Sequence, residues 1–132
     1  MSRLSIEALE KAVATIEKAV MEYEQHPDLL SCRDGAIQRF EITMDLSWKL
    51  LQRVLMERFS VQIGLLRSKK DLFREAATYE LIADTERWLQ HYESRNDTSH
   101  VYDEDVAARV FEHIKEFLPD VRDLVIRLKN VA

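Results

Sequence analysis

The sequence predicts an all-α protein, an antiparallel up-and-down bundle of four to five helices. Two observations carry this. Only two glycines and two prolines occur in 132 residues, whereas a β-rich chain of this size needs a turn signal about every 8–12 residues. Apolar residues also recur at alternating steps of three and four over most of the chain, the period of an amphipathic helix. A composition of 46% hydrophobic and 33% charged residues is that of an ordinary globular protein, neither disordered nor membrane-spanning. The length predicts a single domain over residues 1–132, able to bury about two-thirds of its unfolded surface without disulfide or metal.

The first helix places Ile6, Leu9, Val13, Ile16, Val20 and Tyr23 on one stripe, with Ser2 or Ser5 as its cap and an end before His26-Pro27. The second runs from about Ser31 to Phe59, with Ile37, Phe40, Met44, Trp48, Leu51 and Leu55 on one face. It has a second apolar side at Ile42, Leu46 and Leu50. A helix apolar on two sides either lies centrally in its own bundle or meets another chain. Periodicity lapses around Gly64. Ser68-Lys69-Lys70-Asp71 reads as the next helix start, and Asp84 as the cap of a short helix holding Trp88, Leu89 and Tyr92. Asp103-Glu104-Asp105 opens the last helix, acids suited to its positive end. Its stripe runs from Val106 to Leu128, with a kink or break expected at Pro119.

Several functional classes are excluded. No G-x-G pair exists to cradle a phosphate. The single Cys32 forbids an internal disulfide and suits a reducing compartment. No apolar run follows a basic N-terminus and no stretch of about 18 apolar residues occurs, so a cytoplasmic protein with no membrane partner is expected. A net charge of −5 weighs against a nucleic-acid binder, but affinity depends on where the basic groups sit. Arg67, Lys69, Lys70 and Arg74 form the one basic cluster, interrupted by Asp71 and Glu75. Trp48 and Trp88 read as core residues. Asp45 and Lys49 are spaced for an i,i+4 ion pair. His26 reads as a loop residue and His113 as a border residue; His91, one turn before Arg95, either joins the site or, as the commoner case, caps its helix or packs at a surface. No metal-ligand spacing occurs, so neither metal nor cofactor is proposed.

The polar stretch Ser94-Arg95-Asn96-Asp97-Thr98-Ser99-His100-Val101-Tyr102 breaks the pattern without Gly or Pro. On one continuous helix Arg95 and His100 would stand about 140° apart. A helix end near Asn96 lets both turn toward one point. Arginine is a permanent cation with a planar donor fork for phosphate, and histidine exchanges protons near neutral pH. The residue types alone favour a structural alternative, in which Arg95 pairs with Asp97, Asp103 or Glu104 and His100 caps a helix.

Arg95-Asn96-x-x-x-His100-x-Tyr102 resembles the R-x4-H-x-Y motif of HepT-like HEPN-domain toxins, also called nucleotidyltransferase substrate-binding proteins. Gln38-Arg39-Phe40-Glu41, Trp48-Lys49, Arg74-Glu75-Ala76 and the stretch from Leu81 to Leu89 extend the resemblance over most of the chain. One departure is Ser68-Lys69-Lys70, where many members of that family have a proline. The resemblance implies a metal-independent endoribonuclease toxin, acting as a homodimer on an RNA substrate. Its antitoxin would be a cognate minimal nucleotidyltransferase. In that reading Arg95 binds the scissile phosphate, His100 acts on the 2′-hydroxyl or the leaving oxygen, and Asn96 orients the phosphate. Tyr102 matches the tyrosine that the partner modifies with AMP. The alternative is a non-catalytic nucleotide- or substrate-binding subunit of the nucleotidyltransferase.

Overall fold

The computed structural model describes residues 5–131. Five α-helices follow one another: α1 (Ile6–Gln25), α2 (Leu30–Arg58), α3 (Lys69–Thr78), α4 (Thr85–Asp97) and α5 (Glu104–Val131). Short 3₁₀ turns at Ile63–Leu65 and Thr98–His100 precede α3 and follow α4. No strand occurs among the described residues, and the all-α bundle predicted from periodicity is the observed fold. None of these helices is long and apolar enough to cross a membrane.

The helix starts obey local chemistry. Ser5, Ser68 and Asp84 are N-caps whose side-chain oxygens accept from the amides of Ala8, Asp71 and Arg87, satisfying donors that the first turn leaves free. Ser2 lies outside the described residues. Asp103 caps α5, its Oδ1 accepting from the Asp105 amide at 2.9 Å. The ends of α2 and α3 lack glycine, so Ser60 and Glu80 take the left-handed conformation with φ of 55° and 60°. Each costs about 1 kcal/mol that glycine would avoid.

α2 is the centre of the bundle and touches α1, α3, α4 and α5. This answers the question raised by its second apolar side. Leu50 is buried, Leu46 packs half-buried against the core, and only Ile42 of the three stays exposed. That side is therefore spent mainly within the chain, the first of the two alternatives that its apolar pattern left open. A line of rings joins the helices through Phe40 (α2), Phe117 (α5), Trp88 (α4) and Phe73 (α3). Their successive centroids are 5.0, 5.8 and 5.9 Å apart.

α5 passes through Pro119 as a single helix, so of the kink or break expected there the break is absent. Phe117, Leu118 and Val121 are buried on either side of it while Pro119 itself is exposed. Tertiary burial thus overrides the missing amide and the ring's crowding of the preceding turn. Pro119→Ala should raise the free energy of unfolding by about 1–3 kcal/mol, less about 0.4–1 kcal/mol for the stiffer unfolded chain that proline gives. A urea melt that shows equal or lower stability would contradict this account of α5.

Candidate functional site

α4 ends at Asp97, close to where the sequence places its end, and the 3₁₀ turn carries the chain toward α5. Arg95, in the last turn of α4, reaches across to α2. Its Nε and Nη2 donate to the two carboxylate oxygens of Asp45 at 2.7 and 2.8 Å, a bidentate pair. Nη1 donates to Glu41 Oε2 at 3.1 Å and to Thr98 Oγ1 at 3.3 Å. The Thr98 hydroxyl, buried, donates to the Arg95 carbonyl at 2.7 Å and lies 3.0 Å from Glu41 Oε2. Hydrogen bonding to Asp45 raises the Arg95 pKa against the opposing effect of burial.

Arg95 therefore has acidic partners, but not those the sequence suggests. Asp97 pairs with Arg109, Asp103 caps α5 and Glu104 pairs with Arg33. Asp45 likewise is not the partner of Lys49 expected from i,i+4 spacing; Arg95 takes it. Of the five guanidinium N–H groups, one on Nη2 is left without a partner among the described residues. Arg95 can offer that group to a phosphate directly, and more if Glu41 swings away.

His100 ends the 3₁₀ turn in an exposed position, with Nδ1 3.1 Å from the Tyr102 hydroxyl. Tyr102 is 82% exposed, so it is not a buried anchor. A phenol hydroxyl both donates and accepts, so it can hold either neutral tautomer of His100. Nε2 then faces outward as proton acceptor or donor. No hydrogen bond joins Arg95 to His100 among the described residues, and Asn96 is exposed with no side-chain bond to either. The structure puts the motif on one short turn. It does not converge the side chains within one chain.

Arg33 and Glu104 hold the far end of that turn. Arg33 is buried on α2 and donates from Nη1 and Nη2 to the Glu104 carboxylate at 2.8 and 3.0 Å. Nothing in the local spacing signals this pair, whose members stand 71 residues apart.

A buried polar chain between α4 and α5 is equally invisible to sequence reasoning. His91, only 1% exposed, has Nε2 at 2.6 Å from Asp120 Oδ2 and Nδ1 at 2.8 Å from His113 Nε2. Arg87 Nε donates to the same Asp120 oxygen at 2.8 Å. With Nε2–H given to the carboxylate, neutral His91 must accept at Nδ1, which assigns the proton of this contact to His113 Nε2. Burial is the main cause that lowers the His91 pKa from 6.5 to about 4, and it lowers that of His113 as well.

Fold and site together define a small helical protein whose exposed chemistry sits on the turn between its last two helices. The chain belongs to the nucleotidyltransferase substrate-binding protein-like family, whose model matches residues 4–130. The protein named "Probable ribonuclease HepT" of Haemophilus influenzae is 31% identical over 138 residues, covering 97% of this chain and 94% of that one. A Haemophilus influenzae structure described as the fold of a substrate-binding domain of a nucleotidyltransferase superposes with a TM-score of 0.83 at 28% identity, over 95% of this chain and 99% of its own. A crystal structure from Thermus thermophilus gives a TM-score of 0.79 at 30% identity, over 91% and 98%.

The buried histidines make stability depend on pH with a definite sign. Unfolded His91 binds a proton below its ordinary value of 6.5, and the native group only near 4. The unfolded chain thus holds more protons in that window, and stability falls as pH drops through it, by up to about 1.4 kcal/mol per unit. Urea midpoints measured between pH 7 and 4.5 should show this loss, and His91→Gln should flatten it. An equal slope in the variant would remove His91 as its source.

Proposed function

We propose that this protein is a HEPN-type toxin, a metal-independent endoribonuclease held in check by a cognate minimal nucleotidyltransferase. The observation that carries the reading is the exposed His100–Tyr102 pair, 3.1 Å apart, following Arg95 on one turn. The likeness to a protein named as a probable ribonuclease supports it. In this mechanism a histidine removes the proton from a ribose 2′-hydroxyl, and the 2′-oxygen attacks the adjacent phosphorus. The P–O5′ bond breaks and a second histidine returns a proton to the leaving oxygen. Arg95 binds the phosphate and Asn96 orients it. A homodimer in the cytoplasm, with the two turns facing one cleft, supplies both His100 side chains and brings together groups that one chain keeps apart.

The runner-up is a non-catalytic nucleotide-binding subunit of the nucleotidyltransferase. It is favoured by the family description and by the engagement of Arg95 with Asp45 and Glu41. Cleavage separates the two. His100→Ala should abolish cleavage of RNA with unchanged thermal stability, because His100 is exposed. Arg95→Ala should abolish cleavage and also cost about 1–3 kcal/mol, since it leaves two half-exposed carboxylates unpaired. Cleavage should continue in EDTA. Full activity in His100→Ala, or loss of activity in EDTA, would overturn the mechanism.

Regulation follows from the same turn. AMP transfer to Tyr102 forms an Oη–phosphorus bond and releases pyrophosphate from ATP. The product has lost the hydroxyl donor that holds His100 and has gained a negative charge that competes with RNA phosphate. Co-expression with the partner should add one or more AMP units at Tyr102 and silence cleavage, while Tyr102→Phe should escape silencing. An intact mass without added AMP, or a modification mapped elsewhere, would refute this.

A further inference from the structure

The net charge of −5 conceals a strong segregation. Between Lys49 and Arg74 the chain carries seven basic and two acidic residues, so the rest of the molecule is far more acidic than the total suggests. This basic segment covers the C-terminal third of α2 and most of α3. It begins one turn beyond Asp45, the residue that holds Arg95.

Two lysines in it are unlike the others. Lys11, Lys115 and Lys129 each meet a glutamate. Lys18, Lys49, Lys69 and Lys70 meet none among the described residues, and of these Lys49 and Lys69 share the indole of Trp48. Their Nζ atoms lie 5.6 and 3.8 Å from its ring centroid. Lys69 is also 5.4 Å from the Tyr92 ring, fixed there as the first residue of α3 behind its Ser68 cap. Burial lowers the Lys69 pKa with only partial relief from Asp45. An anion beside Lys69 would offset that desolvation cost.

The surroundings select the anion. Asp45 and Tyr92 face both Lys69 and Arg95, so Lys69 adjoins the candidate site. Beyond it, Trp48, Gln52, Met56 and Ile63, with Lys49 and the Arg53–Glu57 ion pair, line an open groove of about 480 Å³, and Met56 and Ile63 are exposed apolar side chains. Cations bordering an apolar groove match the two halves of an unpaired nucleotide, its phosphate and its base. We propose that Lys49 and Lys69, gathered at Trp48 one turn from Asp45, form a phosphate-binding subsite for the RNA strand adjoining the Arg95–His100 turn. The subsite rests on the ribonuclease reading for its substrate, but its lysines act in binding and not in bond cleavage.

The test uses the full chain in a His100→Ala background, so that RNA survives, with a fluorescent oligouridylate titrated at several salt concentrations. Lys49→Ala and Lys69→Ala should each weaken binding several-fold. Each should also reduce the slope of log Kd against log salt by about 0.7, the share of one phosphate contact on a single strand. Lys69→Arg should retain affinity and slope, which guards against a folding defect, and Lys18→Ala on α1 should change neither. In the active protein the same lysine variants should raise KM more than they lower kcat. Unchanged affinity and slope, affinity lost without a change in slope, or no binding by the parent would overturn the subsite. So would a change in oligomeric state of the lysine variants by light scattering, which would make this face a contact between copies. If the parent cleaves RNA and the lysine variants bind it normally, the subsite fails and the ribonuclease reading stands. If binding depends on both lysines in a parent that never cleaves, the ribonuclease reading fails and the subsite stands.

Discussion

The ion pair of Arg95 with Asp45 and Glu41 sets the geometry on which the candidate site depends. It fastens the last turn of α4 to the middle of the central helix through charge-assisted bonds of 2.7 to 3.1 Å. Arg33 and Glu104 do the same for the first turn of α5. Both anchors reach back to α2, so the intervening turn is held at both ends, with Thr98 buried and Val101 packed against the core while His100 and Tyr102 stay exposed. His100 and Tyr102 are thus placed by their ends. This suits groups that must be solvent-reachable and still positioned, because loops on rigid supports combine the two requirements.

The same anchor shapes what Arg95 is able to do. A guanidinium with most of its donors given to carboxylates is preorganised in direction and remains charged. Its attraction for a phosphate is partly cancelled by the two acids beside it. An uncompensated cation nearby would then matter more than its distance from the reacting atoms implies. Lys69, poised on Trp48 beside Asp45 and in no ion pair of its own among the described residues, is a candidate that the fold supplies.

Features written in local spacing are legible in the sequence. The helical stripes, the caps Ser5, Ser68 and Asp84, and the end of α4 just before the 3₁₀ turn depend on residues within one or two turns of each other. The polar stretch from Ser94 to Tyr102 stands out because it breaks that local pattern. What escapes detection depends on distant partners. Arg95 bonds to Asp45 across 50 positions, His91 to Asp120 across 29, and Arg33 to Glu104 across 71. Nearby acids are the natural expectation for Arg95, yet each is committed to a cap or to another arginine. Pro119 misleads for a related reason. Its local penalty is real, but the burial of Phe117, Leu118 and Val121 around it decides the outcome.

The exposure of Tyr102 bears on kinetics as well as chemistry. A buried hydroxyl reacts with a modifying enzyme only in the fraction of molecules that have opened, so the opening equilibrium multiplies the observed rate. Here the phenol stands clear of the core, on a turn whose two ends are held shut. A reaction at this hydroxyl would need no unfolding step first, and stabilising or destabilising the bundle would leave its reactivity unaltered. The speed of any enzyme acting on this hydroxyl would then be governed by encounter and docking, quantities that concentration and surface charge control.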